Sequence, residues 1–269
     1  MNTSTTGEPD AYSTIARFYD LEYDAFEADL EFYRQFARRA GGPVLELACG
    51  SGRVLRALTN LGLPLTGIDI SDAMLERARA RLPDSVELLL RDMQWITEPC
   101  APANTPFGLI CCAINSFLHL PDPNAQLQVL AEALHVARPD TLLILDVFAP
   151  DPGYLATLDG RLEHGFTTML DDGARLDKWA LREHDLATQT IDSTLFFDII
   201  ATDGSIRRYV DHYHTRYIYR YELEHLLERA GWQITSLFGS YELDPYDSDS
   251  ERMLVLAMPV DLSENGSRW

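Results

Sequence analysis

The segment that most constrains this chain is residues 44–54, with the sequence VLELACGSGRV. Its first four residues have the composition of a buried strand, and apolar residues recur afterwards at helical spacing. Gly50 and Gly52 lie between, and glycine lets a backbone turn sharply and approach a ligand closely. A helix start offers unpaired N–H groups and a positive dipole end. The segment predicts a strand–turn–helix unit that binds a nucleotide-like ligand beyond the first strand.

The glycine spacing argues against a dinucleotide site. The dinucleotide pattern G-x-G-x-x-G needs a third small residue so that the helix packs closely on the strand. Counted from Gly50, that third position is Leu55. Glu46 precedes the turn, and Asp69 ends the next predicted strand, at a spacing where a carboxylate accepts both hydroxyls of a ribose. These features weaken an NAD-type interpretation and favour another nucleoside ligand.

Two motifs carry a family resemblance. ELACGSGR at residues 46–53 and TGIDISDAML at residues 66–75 together resemble the cofactor motifs of class I S-adenosylmethionine-dependent methyltransferases. The resemblance extends over about residues 12–258. It implies an enzyme that binds S-adenosylmethionine and moves its methyl group to nitrogen or oxygen of a small molecule by in-line displacement. An NAD-type oxidoreductase and a non-catalytic S-adenosylmethionine-binding module are the alternatives.

The charge of the chain bears on its partners. Lys and Arg number 22 against 42 Asp and Glu, for a formal net charge of −20. Nucleic acids are bound through Lys and Arg contacts to phosphates, so this balance argues against a nucleic-acid acceptor. It is compatible with a small-molecule acceptor.

Location and metal binding are addressed by what the sequence lacks. No apolar run approaches the roughly 20 residues of a membrane helix, and residues 1–10 lack the apolar core of a signal peptide. We therefore expect a cytoplasmic protein without a membrane partner. Cys49, Cys100, Cys111 and Cys112 lack the paired spacing of a zinc site, so no metal is expected.

The order of predicted elements defines the fold class. Strands alternate with helices up to Pro150, which predicts an α/β fold with a doubly wound parallel sheet. Asp-Gly and related turn signals then predict an inserted antiparallel β meander of three or four strands. Two last strands complete a seven-stranded, Rossmann-like methyltransferase sheet. The predicted strands of this sheet are 44–47, 65–70, 86–90, 109–114, 142–148, 233–241 and 252–258.

The same pattern divides the chain. Residues 1–40 are expected to form a helical lid, and residues 41–150 with 219–260 the cofactor-binding core. Residues 151–218 form the insert, which is expected to line an acceptor pocket or to form the interface of a homodimer, because edge strands need covering. Residues 261–269 are expected to be a disordered tail.

The resemblance also assigns a cofactor site. Asp92 would accept from the adenine amino group, Met93 would donate its backbone N–H to the ring, and Asn115 would lie near the methionine part. Tyr19, in the lid, would shield the sulfonium. The complete expected set is Tyr19, Glu46, Ala48, Gly50, Gly52, Asp69, Ile70, Met74, Asp92, Met93 and Asn115.

Catalytic candidates follow from the chemistry of methyl transfer, which needs alignment and exclusion of water more than covalent catalysis. A base is needed only if the acceptor arrives protonated. His119, just beyond the fourth strand, is the candidate base or hydrogen-bonding residue, and Tyr19 is the second catalytic candidate. A structural role for either residue is the alternative.

Residues from four segments are expected to bind the acceptor. Tyr12 and Tyr23 belong to the lid, His119 follows strand four, and Asp146 lies late in strand five. The period of two along residues 209–217 places His212, His214 and Arg216 on one face of this strand and Tyr209, Asp211, Tyr213 and Tyr217 on the other. His214 and Tyr217 are the substrate-binding candidates there, and a subunit interface is the alternative for this strand.

Overall fold

The computed structural model of the chain describes residues 12–99 and 101–260, which form two β-sheets and their covering helices. Predictions for residues 1–11, Cys100 and residues 261–269, including the disordered tail, lie outside the described residues. The strands are β1 Val44–Leu47, β2 Leu65–Asp69, β3 Glu87–Leu90, β4 Phe107–Cys112, β5 Ala137–Phe148, β6 Asp159–Met169, β7 Arg175–Asp185, β8 Thr190–Ile200, β9 Ile206–Arg216, β10 Trp232–Phe238 and β11 Arg252–Pro259. The helices are α1 Ser13–Tyr23, α2 Leu30–Ala40, α3 Arg53–Leu58, α4 Asp72–Arg81, α5 Pro123–His135, α6 Pro152–Thr157 and α7 Arg220–Arg229.

The central sheet has seven strands in the order β10-β11-β5-β4-β1-β2-β3. Strands β1 to β5 are parallel to one another, while β11 is antiparallel to β5 and to β10. The strand order reverses between β1 and β4, which is where ligands bind in open α/β sheets. The predicted doubly wound sheet is confirmed.

Helices bury both faces of this sheet. Strands β1, β2 and β4 are buried along their whole length, as expected of parallel strands between two helical layers. Helices α5 and α7 cover one core cluster, and α2, α3 and α4 cover the other. Each fully buried Leu or Phe in these layers contributes roughly 1.5–3 kcal/mol to stability. The sheet is thus a rigid base for its carboxyl edge.

Within the region expected to form a helical lid, the described residues form two helices, α1 and α2. The helical conformation is interrupted between α1 and α2, and the side chain of Arg53 packs into this interruption. Its guanidinium donates to the carbonyl oxygen of Phe26 at 2.7 Å and to both carboxylate oxygens of Asp29 at 2.8 and 2.5 Å. Arg53 and Asp29 are both buried, so the pair satisfies charges that would otherwise be costly. The interruption lets α1 leave the sheet on which α2 packs.

The second sheet is an antiparallel meander of four strands in the order β6-β7-β8-β9. Its turns lie where the Asp-Gly and related signals predicted them, so the inserted meander is confirmed. Phe18 of α1 packs on its inner face, stacked on Phe197 with ring centroids 4.5 Å apart. Helix α1 therefore lies between the two sheets.

Ion pairs fasten α1 to the central domain. Asp20 contacts Arg77 and Arg81 of α4 at 2.5 Å each, and Arg81 also contacts Asp24 at 2.5 Å. On the opposite side, the N–H of Ile15 donates to Asp211 of β9 at 3.0 Å. These contacts hold α1 over the carboxyl edge of the parallel strands.

Some strand bounds differ from the sequence-based expectation. Strand β4 ends at Cys112 instead of residue 114, because Ile114 and Asn115 adopt φ of +40° and +62° and leave the sheet. Strand β5 begins at Ala137 instead of residue 142, and β10 ends at Phe238 instead of residue 241.

Among the described residues, none of the helices combines the length and apolar character that a membrane crossing would need.

Candidate active site

A cleft opens between the carboxyl edge of the central sheet, α1 and the inner face of the second sheet. It encloses about 1260 Å³ of space free of atoms, part of which is open to solvent. Of the predicted site residues, those that line it are Tyr12, Tyr19, Tyr23, Ala48, Gly50, Asp69, Ile70, Met74, Asp92, Met93 and His119.

The glycine turn forms one end of the cleft. Gly50 has φ of +55°, and a Cβ there would lie 4.0 Å from the ring of Tyr19. Asp69 accepts hydrogen bonds from the N–H groups of Gly50 at 2.8 Å and Ser71 at 2.9 Å. A carboxylate has about four lone-pair positions and can accept several hydrogen bonds at once. At this turn a ligand can approach the backbone of Gly50 closely, beside the carboxylate of Asp69.

The wall beyond β2 and β3 is apolar and edged by an acid. Ile70 is 58% exposed, which is unusual for a large apolar residue beside a buried strand, and it lines the cleft with Met74. Asp92 caps a short 3₁₀ helix by accepting from the N–H of Gln94 at 2.8 Å. This arrangement suits a flat heterocycle between aliphatic side chains with a polar group at its edge.

Glu46, Gly52 and Asn115 do not line the cleft, contrary to expectation. Glu46 is buried behind the turn, where it accepts from the N–H of Leu55 at 3.2 Å, and burial raises its pKa to about 8. Gly52 starts α3 at φ +76°, and a Cβ there would meet Leu82 at 2.6 Å. The side chain of Asn115 accepts from the N–H of Phe148 at 2.6 Å. All three shape the walls from behind.

An aromatic and histidine cluster forms the other end of the cleft. The Tyr12 hydroxyl lies 3.2 Å from Nδ1 of His119. Tyr213 of β9 packs on His119 with ring centroids 5.3 Å apart. Burial lowers the pKa of His119 to about 4, so the ring is neutral near pH 7. The cluster can donate and accept hydrogen bonds without carrying charge.

Tyr19 and Tyr23 form an aromatic wall on α1. Their rings stack with centroids 4.6 Å apart, and burial raises the pKa of both hydroxyls above the ordinary value. They are therefore neutral phenols, suited to packing beside a positive ligand group rather than to acting as bases.

Asp146 is buried behind the cleft wall and does not line it, which corrects its expected role in substrate binding. Its carboxylate accepts from the hydroxyls of Tyr241 at 2.7 Å and Tyr33 at 3.3 Å and contacts Arg252. It also accepts from the N–H of Ile114 at 3.4 Å. Asp146 therefore supports the left-handed turn after β4, from which Ile114 faces the cleft.

His214 and Tyr217 do not line the cleft itself, but His214 lines a groove that shares Tyr12 and His119 with it, so its contact with the acceptor stays a prediction. Alternation along β9 turns Tyr213 toward α1 and leaves His214 exposed on the outer face, where it contacts Asp192. Tyr217 follows the end of β9 and is completely buried against Leu155. The homodimer interface expected for this sheet stays a prediction.

The sequence analysis missed an ion pair in the cleft. Nζ of Lys178, on β7, lies 2.6 and 2.5 Å from the carboxylate oxygens of Glu22, on α1. Leu195 and Phe197 of β8 complete this wall. Lys178 is the only lysine of the chain, and this was the one feature of the sequence that could have drawn attention to it. Its pairing with Glu22 arises only where the second sheet meets α1.

Within residues 12–99 and 101–260, no three or more His, Cys, Asp and Glu side chains are grouped so that they could hold a metal ion. The cleft instead combines a glycine turn, the carboxylates of Asp69 and Asp92, the apolar side chains of Ile70 and Met74, and neutral aromatic groups. This donor set fits a nucleoside that carries a cationic group.

Comparison with known proteins agrees with this geometry. Residues 44–140 match a family model described as a methyltransferase domain. The chain is 32% identical over 183 residues to dTDP-3-amino-3,6-dideoxy-alpha-D-glucopyranose N,N-dimethyltransferase of Streptomyces fradiae, covering 62% of this chain and 68% of that protein. It is also 32% identical over 114 residues to rat (Rattus norvegicus) glycine N-methyltransferase, but this match covers only 38% of the chain and 39% of the rat protein.

A solved structure has the same fold. The CcbJ methyltransferase from Streptomyces caelestis superposes with a TM-score of 0.73 over 95% of this chain and 100% of that one, at 22% identity. This likeness shows the fold, and the relative from Streptomyces fradiae shows the family. The chain belongs to the class I S-adenosylmethionine-dependent methyltransferases.

Proposed function

We propose that this protein transfers the methyl group of S-adenosylmethionine to an amine nitrogen of a small molecule. The observation that carries the proposal is the neutral His119, which lines the cleft beyond β4 and lies 3.2 Å from the Tyr12 hydroxyl. When bound, S-adenosylmethionine supplies a methyl group on a positive sulfur, which a neutral amine attacks directly.

The cofactor would occupy the end of the cleft formed by β1, β2 and β3. In this proposal Gly50 and Ala48 approach the methionine part, and Asp69 accepts the ribose hydroxyls. Ile70 and Met74 pack on the adenine, and the Asp92–Met93 corner meets its polar edge. Tyr19 covers the glycine turn and excludes water from the positive sulfur.

The properties of His119 favour nitrogen over an alkyl hydroxyl oxygen as the nucleophile. A histidine whose pKa is lowered to about 4 by burial is a poor base for a hydroxyl proton. An amine has a lone pair as soon as its ammonium has lost a proton to solvent, so it needs orientation more than deprotonation. With the proton on Nδ1 directed at Tyr12, Nε2 of His119 can accept an amine N–H and align the lone pair.

The named relatives support the same class of acceptor. The Streptomyces fradiae protein is named for N,N-dimethylation of an amino sugar nucleotide and the rat protein for N-methylation of glycine. Both names place the methyl group on an amine nitrogen of a small molecule. A nucleic-acid acceptor is not proposed, because the net charge of −20 opposes binding to phosphates.

Calorimetry and a transfer assay test the proposal. Titration with S-adenosylmethionine, S-adenosylhomocysteine and NADH should show binding of the two sulfur ligands only. Methyl transfer should then be followed by mass spectrometry with primary amines and with the alcohols of the same carbon skeleton. We expect methylation of amines only, with kcat reduced in Tyr12→Phe and more strongly in His119→Asn.

The outcomes separate the alternatives. Methylation of the alcohols in preference to the amines would contradict the choice of nitrogen. Binding of S-adenosylmethionine without turnover over a broad panel would favour a non-catalytic binding module, and binding of NADH would favour an oxidoreductase.

A further inference from the structure

The ion pair between Glu22 and Lys178 has no role in the proposed chemistry, yet it lies in the acceptor half of the cleft. Lys178 is 6% exposed as a residue, and its Nζ lies 5.9 Å from the ring centroids of both Phe166 and Phe197. A charge in such apolar surroundings is costly unless it is paired, and Glu22 pairs it. Both residues also line a second, adjoining groove, so the pair forms the partition between the two cavities.

Resting on the proposed amine N-methylation, we propose that the Glu22–Lys178 pair is an acceptor subsite that binds a hydroxyl group of the substrate. The acceptor is then a hydroxylated amine, with its nitrogen at His119 and a hydroxyl at the ion pair. The subsite selects among amines and does not take part in methyl transfer.

Hydrogen-bonding capacity supports a hydroxyl at this position. An ammonium has three N–H donors, and among the described residues Nζ of Lys178 has hydrogen bonds only to the carboxylate of Glu22. At least one donor therefore remains for a ligand oxygen, and the carboxylate keeps lone pairs that can accept. A hydroxyl group donates and accepts at once, so it matches a site that offers both.

Charge argues against an ionised ligand group at this position. A carboxylate of the ligand at Lys178 would lie beside the carboxylate of Glu22, and an ammonium at Glu22 would lie beside Nζ of Lys178. Either arrangement brings like charges together in partly desolvated surroundings. A neutral hydroxyl meets no such repulsion, and its bonds to charged partners are stronger than neutral ones.

The groove behind the partition indicates where the acceptor continues. Its walls carry polar side chains of β6 and β7, among them Glu163, Thr167 and Arg182. Thr167 donates to Asp177 at 2.6 Å and lies 2.9 Å from Nε2 of His164, so this wall is an ordered hydrogen-bonding surface. A polyhydroxylated substrate would find partners on both sides of the ion pair.

Matched probe molecules test the subsite directly. Cyclohexylamine is compared with the 2-, 3- and 4-aminocyclohexanols, each titrated calorimetrically into the protein saturated with S-adenosylhomocysteine. We expect at least one aminocyclohexanol to bind more tightly than cyclohexylamine by about tenfold to a hundredfold. This preference should be lost in Glu22→Gln/Lys178→Met, which removes both charges together and so avoids leaving one buried and unpaired.

The single lysine allows a second, independent readout. Biosynthetic labelling with [ε-¹³C]lysine gives one protein signal, from Lys178. The preferred aminocyclohexanol should shift this signal, and cyclohexylamine should leave it in place. The single variants Glu22→Gln and Lys178→Met are compared with the double variant, and unchanged affinity for S-adenosylhomocysteine shows that each remains folded.

The failures of the two proposals are distinguishable. Equal binding of cyclohexylamine and every aminocyclohexanol, no binding of any of them, or a preference that persists in the double variant would overturn the hydroxyl subsite. A ¹³C signal that responds equally to cyclohexylamine would do the same. Absence of methyl transfer to amines despite a hydroxyl preference in binding would instead contradict the proposed N-methylation.

Discussion

The carboxylate of Asp69 accepts a hydrogen bond from the N–H of Gly50 at 2.8 Å, which ties the end of β2 to the glycine turn after β1. The other carboxylate oxygen accepts from the N–H of Ser71 at 2.9 Å. One acid therefore fixes the backbone of two neighbouring strand ends. In the proposed function the same carboxylate also meets the ribose hydroxyls of the cofactor.

This arrangement predicts that Asp69→Asn weakens cofactor binding and also lowers the free energy of unfolding by about 1–3 kcal/mol. Each carboxylate oxygen now accepts a hydrogen bond from a backbone N–H. In the variant the amide NH₂ group would face one of these N–H groups, and the charge-assisted hydrogen bonds would be lost. We expect affinity for S-adenosylhomocysteine to fall by about tenfold or more, measured by calorimetry. Asp72→Asn is the matched control, because Asp72 is exposed on α4 and pairs with Arg79 at 3.3 Å. Equal affinities for Asp69→Asn and wild type would refute the assignment.

Gly50 offers a second test of the cofactor end. Gly50→Ala and Gly62→Ala should each lower the free energy of unfolding by about 1 kcal/mol, because φ is +55° and +69° at these positions. A Cβ at Gly62 meets nothing within 4 Å, whereas one at Gly50 projects toward Tyr19 at 4.0 Å, into the ligand's path. Only Gly50→Ala should weaken binding of S-adenosylhomocysteine. The contrary result is a similar affinity for both variants.

The fold was predictable because its signals are local. The strand–turn–helix unit, the alternation of strands and helices and the hairpin turns each depend on a few adjacent residues. Why a residue as large as Leu55 is tolerated in the glycine pattern was not predictable from adjacent residues. Leu55 occupies the third position of the glycine pattern, and close packing is achieved instead from β2, where a Cβ on Gly67 would lie 2.6 Å from Leu55.

The part of the cleft lined by Gly50, Asp69 and Asp92 was predictable for the same reason, since these residues lie at or just beyond the ends of strands. The acceptor end was less so, because it depends on how the second sheet meets α1. Alternation along β9 separated the strand's two faces but could not tell which face turns inward, so His214 and Tyr217 were chosen from opposite faces and Tyr213 was missed. Lys178 and Glu22 lie far apart in sequence and were missed.

The pKa of Glu46 predicts a pH dependence of stability. Burial raises its folded-state pKa from 4.5 to about 8, so between these values the native state holds a proton that the unfolded state has lost. The free energy of unfolding therefore falls as pH rises through this range, by up to about 1.4 kcal/mol per pH unit from this group. Glu46→Gln keeps an acceptor for the N–H of Leu55 and removes the titration.

We expect Glu46→Gln to gain stability relative to wild type as the pH is raised from 5 to 8, measured by urea denaturation at several pH values. Glu76→Gln, which changes an exposed acid on α4, serves as the control and should follow wild type. A constant difference between Glu46→Gln and wild type across this range would show that Glu46 is ionised in the native state.

Asp146 predicts a different separation of effects, because it supports the cleft from behind. Its carboxylate joins Arg252, Tyr33, Tyr241 and the N–H of Ile114. Asp146→Asn leaves the Arg252 guanidinium without its buried counter-charge, so we expect a loss on the order of 3 kcal/mol in the free energy of unfolding. Tyr241→Phe removes one hydrogen bond of the same network and should cost about 1 kcal/mol.

Ile114 lines the cleft in a left-handed conformation that is unfavourable for a β-branched residue and needs the support of Asp146. Asp146→Asn should therefore also weaken binding of S-adenosylhomocysteine, whereas Tyr241→Phe should leave it near wild type. Denaturation and calorimetry on the two variants give both quantities. If Asp146→Asn lowered stability but kept full affinity, the turn after β4 would be held by its backbone alone, since the N–H of Asn115 donates to the carbonyl oxygen of Asp146 at 2.8 Å.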